Sequence, residues 1–372
     1  MLLSQIIKTD GSLAVVAREG SEAAVVKGAA STYALAQEAI ATGRSLAAVI
    51  AAHGLGEAVD LVALAAEGRL ALPITHPDPT HMHLTGTGLT HLGSAATRDA
   101  MHAKLGGAET LTDSMKMFRM GLEGGRPAAG EVGVQPEWFY KGNGHTAVAP
   151  GAALTSPGFA LDGGEEPELA GIYLIGPDGV ANRVGWALAN EFSDHVTERI
   201  NYLFLAHSKL REASFGPEIL VGDLPLDVRG SSRIRRGDTV IFEAPFLSGE
   251  ANMSHTFANL EHHHFKYALF CQPGDLHVHM FGTATLSFAQ GIEPIGIVPP
   301  VGRVSAHNPI RLPIRVLRSA CRFSGLARCT IMGRMVKRSC ASTSDTTPCP
   351  RRFSSKFISR LRSCMSLPVL PR

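Results

Sequence analysis

Cysteine is nearly absent from the first 300 residues of this 372-residue chain, where Cys271 stands alone. A single thiol in so long a stretch argues against a disulfide framework and favours a reducing compartment. The start of the chain has neither a basic leader nor a long apolar core, so no signal peptide is expected. No uncharged apolar run reaches the length of a membrane span. We therefore expect a cytoplasmic protein with no membrane partner.

Acidic residues are almost missing from residues 301–372, which hold 15 Lys and Arg against the single acid Asp345. The formal net charge of +2 thus conceals an acidic body, because the first 300 residues hold 20 basic and 32 acidic residues. An acidic body is typical of soluble enzymes, and no nucleic-acid partner is predicted. A basic end such as 293–372 is a candidate nucleic-acid arm. We interpret it as a disordered or miscoded tail, because like-charged segments with few acids rarely fold.

Residues 1–75 predict a small α/β lead-in unit without a chemical motif. Short apolar runs at 12–17 and 22–27 have strand character. The Ala-rich stretch 31–53 has apolar residues at helical spacing, and Gly54 is its stop signal.

Residues 76–292 predict a second, β-rich domain. Turn signals such as Pro157-Gly158 and Pro273-Gly274-Asp275 recur between short apolar runs, which favours a mixed sheet with few helices. The predicted fold class is therefore α+β, with the lead-in followed by a β-rich roll.

Two acids, Glu166 and Glu168, precede the apolar strand-like run 169–175. Residues i and i+2 of a strand point to the same side, so both carboxylates aim at one spot. A second strand-like run ends at Glu191 and can deliver a third acid. Three carboxylates repel one another unless a cation lies among them, and oxygen-only ligands suit Mg²⁺ or Mn²⁺. The pattern predicts a metal site, with solvated acids at a strand edge as the alternative.

The residues around these acids resemble the fumarylacetoacetate hydrolase superfamily. The motif consists of Glu166 and Glu168, the Asn190-Glu191-Phe192-Ser193 step, Lys209 and Gly216-Pro217, with Glu191 where the family usually has Asp. Pro136 to Gly142, Pro273 to Asp275 and Gly282-Thr283 resemble flanking segments of the family. The resemblance covers roughly residues 75–292. It implies a β-rich roll with the metal cluster at its mouth, and a homodimer.

Several further side chains are candidates for the chemistry. Lys209 is a candidate for proton transfer or for stabilising negative charge, and its alternative is a structural ion pair with Glu212 or a neighbour. Lys141 is expected to anchor substrate or order the site, and Glu212 is a substrate-binding candidate. Thr283 and Ser94 are candidates to donate hydrogen bonds to substrate hydroxyls.

The segment Thr87 to Ser94 resembles the family segment that carries a water-activating His. The matching position here is Ser94, and Thr90-His91 stands where the family has Asn-Tyr. The resemblance thus implies that the hydrolytic base is missing, and His91 can replace it only in a rearranged loop.

Within the superfamily, the body most resembles bacterial dehydratases of 2-keto-3-deoxypentonates. The resemblance rests on the segments Asn190 to His195, His207 to Arg211 and Ser248 to His255. It implies Mg²⁺-dependent dehydration of a 2-keto acid to 2,5-dioxopentanoate through a metal-stabilised enolate, in non-phosphorylating pentose catabolism. The alternatives are an acylpyruvate or diketo-acid hydrolase and an inactive metal-binding member of the superfamily.

Two His-x-His pairs, His81/His83 and His277/His279, lie outside this motif. Transition-metal ligation is one interpretation of such pairs. We favour side chains hydrogen-bonded along strand faces, because the carboxylate set already suits a hard cation.

Overall fold

The computed structural model describes residues 1–93 and 111–292, together with the backbone of the short strand Val316–Leu317. The strands are β1 (Leu2–Ile7), β2 (Leu13–Glu19), β3 (Glu22–Val26), β4 (Leu55–Ala58), β5 (Met82–Gly88), β6 (Glu137–Asn143), β7 (Ala147–Val148), β8 (Pro167–Ile175), β9 (Ala181–Asn190), β10 (Ala213–Leu220), β11 (Val228–Arg236), β12 (Thr239–Ser248), β13 (Leu276–Met280) and β14 (Val316–Leu317). The α-helices are α1 (Thr32–Thr42), α2 (Leu46–His53), α3 (Leu61–Ala66), α4 (Asp113–Gly124), α5 (His195–Ile200), α6 (Leu205–Lys209) and α7 (Phe257–Phe265).

Within the described residues, eleven strands form one mixed sheet in the order β4-β3-β2-β1-β10-β9-β8-β13-β5-β6, with β7 beside β10. Strands β13 and β5 are parallel, whereas β13, β8, β9 and β10 pair antiparallel in that order. The N-terminal strands join through β1, where Leu2 lies opposite Leu220 of β10. The sheet therefore continues across residue 75, and the division of the chain there stays a prediction.

The sheet is covered on both faces, and successive residues of a central strand face two different apolar cores. On β8, Ile172 and Leu174 face a core that also holds Val49 and Ile50 of α2. Tyr173, between them, faces a second core built with α7 and the small sheet. Successive strand residues point to opposite faces, so a sheet covered on both sides needs apolar residues at nearly every position.

The small sheet has the order β12-β11-β14. Its strand β14 belongs to the segment 293–372, and the rest of that segment lies outside the described residues. Among the helices of the described part of the chain, none has the length and apolar character needed to span a membrane.

The predicted helical stretch 31–53 forms two helices instead of one. Ser31 caps α1 by accepting the N–H of Ala34 at its hydroxyl oxygen. Gly43 then adopts φ 62°, a left-handed conformation that ends α1. Ser45 caps α2, and Gly54 follows its last residue. The periodicity identified the helical face correctly, but it did not reveal the turn between the helices.

Candidate metal centre and its lysines

The three predicted acids converge because β8 and β9 pair antiparallel at their adjoining ends. Pro167 lies opposite Asn190, and the N–H of Glu191 donates to the carbonyl of Glu166 at 2.9 Å. One carboxylate oxygen from each of Glu166, Glu168 and Glu191 lies within 4.8 Å of the others. All three side chains are buried. Strand pairing therefore brings Glu191 to the Glu-x-Glu pair across 23 positions of sequence or more.

Lys209, the last residue of α6, bridges two of these acids. Its Nζ donates to Glu166 Oε1 and Glu191 Oε2, both at 2.5 Å, and lies 4.9 Å from the centre of the Phe139 ring. Burial alone lowers the pKa of this ammonium, but the two carboxylates outweigh burial and raise the pKa well above its ordinary value. Lys209 is therefore a permanent cation in this structure.

Lys141, on strand β6, also reaches Glu191. Its Nζ lies 2.8 Å from Glu191 Oε1 and donates to the backbone carbonyls of Phe192 and Lys209, the latter at 2.8 Å. Burial lowers the pKa of Lys141, and Glu191 opposes that shift. Three acceptors surround the three N–H donors of an ammonium, so Lys141 orders the backbone that carries Glu191 and Lys209.

A third cation, His195, holds Glu166 from the other side. Its Nε2 lies 3.0 Å from Glu166 Oε1, and its Nδ1 lies 3.4 Å from Asp162 Oδ2. Burial lowers the pKa of the imidazole, but Asp162 and Glu166 outweigh burial and raise the pKa to about 10. The pKa of Glu166 is correspondingly held well below its usual range, although burial acts against this, because Lys209 and His195 both stabilise the charged carboxylate.

Glu168 is the acid of the three that forms no direct ion pair with any described residue. Among the described residues its carboxylate makes no ion pair, and Oε2 accepts one hydrogen bond, from the N–H of Gly282 at 2.6 Å. Burial, followed by repulsion from Glu191 and Glu166, raises the pKa of Glu168 well above its ordinary value. A divalent cation would remove this repulsion, so Glu166, Glu168 and Glu191 fit a hard ion and are the residues that would hold it.

The Asn190–Ser193 step positions the ligand candidates. Asn190 Oδ1 accepts the N–H of Glu166 at 3.2 Å, and Ser193 Oγ donates to Glu191 Oε1 at 2.9 Å. Backbone bonds between Ser193 and Gly164 pair the loops that follow β9 and precede β8. Such outer contacts hold carboxylates in place for a metal.

Two solved structures match the chain over most of its length. The apo form of 2-keto-3-deoxy-D-arabinonate dehydratase is 19% identical, with a TM-score of 0.54, covering 77% of this chain and 88% of that chain. The same enzyme complexed with magnesium and 2,5-dioxopentanoate is 18% identical, again with a TM-score of 0.54 and the same coverage. The chain has a fold of the fumarylacetoacetate hydrolase type. The predicted α+β class with a β-rich roll is thereby confirmed. No protein-family model and no curated protein sequence matches the chain.

Thr283 and His91, two of the other predicted residues, lie in this fold of the fumarylacetoacetate hydrolase type with the following hydrogen-bond partners. Thr283 follows Gly282, the donor to Glu168, and accepts the N–H of Thr285 at 3.1 Å. His91 is buried, with Nε2 2.8 Å from Ser248 Oγ and Nδ1 3.1 Å from Thr90 Oγ1. Ser94 lies outside the described residues.

The alternative ion pair between Lys209 and Glu212 does not form. Among the described residues, the carboxylates within 4.0 Å of Lys209 Nζ belong to Glu166, Glu191 and Glu198. Glu212 Oε2 instead accepts the N–H of Thr155 at 2.5 Å. The chain leaves α6 after Lys209, which separates the two side chains. The nearest of the carboxylates around Lys209 Nζ, both at 2.5 Å, belong to Glu166 and Glu191 of the candidate centre.

The sequence motifs did not assign a role to His195 or Asp162, although both reach the centre through Glu166. His195 closes the quoted segment Asn190 to His195, so its position carried a signal. Asp162 stands in a Gly-rich turn and carried none. The contact between His195 and Glu166 spans 29 positions and depends on the pairing of β8 with β9.

Proposed function

We propose that the chain catalyses the Mg²⁺-dependent dehydration of a 2-keto-3-deoxypentonate to 2,5-dioxopentanoate. The observation that carries the proposal is the buried cluster of Glu166, Glu168 and Glu191, bridged by the Lys209 ammonium. The likeness in fold to a dehydratase solved with magnesium and 2,5-dioxopentanoate supports it. Homodimerisation stays a prediction.

The atoms of the reaction balance as the loss of one water. A proton leaves C3 and the hydroxyl leaves C4, which forms a C3–C4 double bond. Isomerisation of this alkene with its C5 alcohol to the C5 aldehyde then gives 2,5-dioxopentanoate without further loss of atoms. When bound, the ion would polarise the keto group of the substrate and so acidify the hydrogens on C3.

Within the chain, Lys209 has the role of a cation and hydrogen-bond donor. Because Glu166 and Glu191 raise its pKa, Lys209 holds its proton and is not a general base. Two of its N–H groups hold the acids, and the third is available to the substrate carboxylate or to the departing C4 hydroxyl. Lys141 keeps Glu191 and the end of α6 in place, and Thr283 remains a candidate for a hydrogen bond to substrate.

The test is a paired assay of the purified full chain. A 2-keto-3-deoxypentonate and an acylpyruvate are each incubated with Mg²⁺ or with EDTA, and products are identified by NMR. We expect 2,5-dioxopentanoate from the first substrate with Mg²⁺ and none with EDTA. Cleavage of the acylpyruvate without dehydration of the sugar acid would overturn the proposal in favour of a hydrolase. Binding of Mg²⁺ without turnover of either substrate would overturn it in favour of an inactive metal-binding protein.

A further inference from the structure

A second cluster of potential metal ligands lies at the other end of β13. His277 of β13 and His83 of β5 are register partners on parallel strands, so their side chains share one face of the sheet. Asp275 comes two residues before His277 and points to the same face. The centroids of the His83 and His277 rings are 4.9 Å apart.

We propose that His83, Asp275 and His277 form a transition-metal site that takes Zn²⁺ or a similar divalent ion. Each residue offers one ligand atom, and these atoms lie within 4.8 Å of one another. Two imidazoles and one carboxylate are a ligand set that suits Zn²⁺, with further coordination positions open. The three acids of the first centre offer only oxygen and suit Mg²⁺, so the two sites select different ions.

The distances within the cluster suit ligands of one ion. His83 Nε2 lies 3.1 Å from Asp275 Oδ2. Two tetrahedral ligands at the usual Zn–N and Zn–O distances are about 3.3 Å apart. His277 is fully buried, and its Nε2 has no hydrogen-bond partner of good geometry among the described residues; the Phe270 backbone interacts only weakly with the ring. A buried ring nitrogen without a well-formed hydrogen bond is a position at which a metal ion can supply the missing interaction.

Outer contacts of the kind that orient metal ligands are also present. His264 Nε2, from α7, lies 3.0 Å from His277 Nδ1, and His81 Nδ1 lies 2.7 Å from Asp275 Oδ1. Metal-binding imidazoles usually use the second nitrogen in this way. The side chains of His83 and His81 are 16% and 57% exposed, which gives an ion a route from solvent.

The hydrogen bond from Trp138 determines which nitrogens of His264 and His277 carry a proton. The indole Nε1 only donates, and it donates to His264 Nδ1 at 3.3 Å. His264 Nε2 therefore carries its proton and donates to His277 Nδ1, which leaves an unpaired N–H at His277 Nε2. Ligation at Nε2 reverses this order, because His277 Nδ1 then donates to His264. The Trp138 bond is lost, so its indole fluorescence reports ligation.

The proposed site is separate from the acidic centre. Gly282, whose N–H donates to the Glu168 carboxylate, follows His277 by five residues. Five residues of extended chain span about 16 Å. Occupancy of one site therefore does not require the other.

Calorimetric titration of the EDTA-treated full chain with Zn²⁺, in excess Mg²⁺, tests the site. We expect one Zn²⁺ per chain and a change in tryptophan fluorescence that W138F abolishes. H277Q and H83Q should each weaken Zn²⁺ binding by more than about 100-fold, the upper end of what loss of an outer contact costs, and H264Q by less. Thermal melts check that each variant is folded.

Two variants serve as controls for this titration. H262Q changes an exposed histidine of α7 outside the cluster, and E168Q changes the acidic centre. Both should bind Zn²⁺ as the parent chain does. No uptake by the parent chain, uptake retained in H83Q, or uptake lost in E168Q would overturn the proposal. If H277Q does not fold, H83Q decides, because its partly exposed ring is the more tolerant position.

Discussion

Glu168 and Glu191 contribute a carboxylate to the same centre, yet their surroundings differ. Glu191 lies within 2.8 Å of both Lys141 and Lys209, whereas Glu168 receives one backbone N–H, that of Gly282. Burial raises the pKa of both; Lys141 and Lys209 oppose the shift at Glu191 through direct ion pairs, whereas Lys209 opposes the shift at Glu168 only from a distance. Removing the carboxylate should therefore affect the folded state more strongly at Glu191 than at Glu168.

The first prediction compares E168Q with E191Q by thermal unfolding with and without Mg²⁺. E168Q should not destabilise the Mg²⁺-free protein, because no ion pair among the described residues depends on the Glu168 carboxylate and its pKa is already raised by burial. E191Q should cost about 3–5 kcal/mol, because it leaves two buried lysines without their shared partner. Both should lose the stabilisation by Mg²⁺, which for one site is about 2.7 kcal/mol at 100 times Kd. Retained Mg²⁺ stabilisation in E168Q would show that this carboxylate is not a ligand.

Among the elements, a side-chain ion pair links β2 to β10. It joins the N-terminal strands to the strand that follows Lys209 in the chain. Arg18 of β2 reaches Glu218 of β10 with two hydrogen bonds, at 2.6 and 2.7 Å. The side chains are 10% and 15% exposed, and bidentate geometry fixes their relative orientation. The pair thus clamps three neighbouring strands, since β1 lies between β2 and β10.

The second prediction is that R18M destabilises the chain by about 3 kcal/mol, since it removes two charge-assisted hydrogen bonds from a largely buried carboxylate. The double variant R18M/E218M should lose less than the sum of the single variants, because neither charge remains. Urea unfolding of the four proteins measures the coupling. Additive losses would mean that the pair contributes no interaction of its own.

For the molecule as a whole, buried neutral histidines predict sensitivity to acid. Burial lowers the pKa of His91 and His279 to about 3 each. The unfolded chain takes up these protons near the ordinary pKa of about 6.5. The stability these rings contribute is therefore complete above pH 6.5, and it is lost as the pH falls toward 3.

The third prediction assigns part of this loss of stability in acid to His91. Between about pH 6 and pH 3, H91Q should lose stability less steeply than the parent chain, by up to roughly 1.4 kcal/mol per pH unit. Urea unfolding at several pH values measures the slopes, with H262Q as the exposed control. Equal slopes for H91Q and the parent chain would show that His91 is not a buried neutral ring.

Local rules predicted the acid pair and the end of the helical stretch. The i, i+2 rule of strands placed Glu166 and Glu168 together, and the predicted stop signal Gly54 follows the last residue of α2. Family spacing pointed to Glu191 and Lys209, because the motif already encodes contacts between distant segments. Each of these depends on neighbours in sequence or on a known pattern.

What the sequence determined by itself was the α+β class and a group of acids suited to a hard cation. Only the tertiary structure decided which charges meet: Lys209 with Glu166 and Glu191 in place of Glu212, and His195 with Asp162. It also brought Asp275 together with His83 and His277, a set that two separate His-x-His pairs did not reveal. The reason is physical. Buried ion pairs form between segments that strand pairing brings together, and that pairing is a property of the whole sheet.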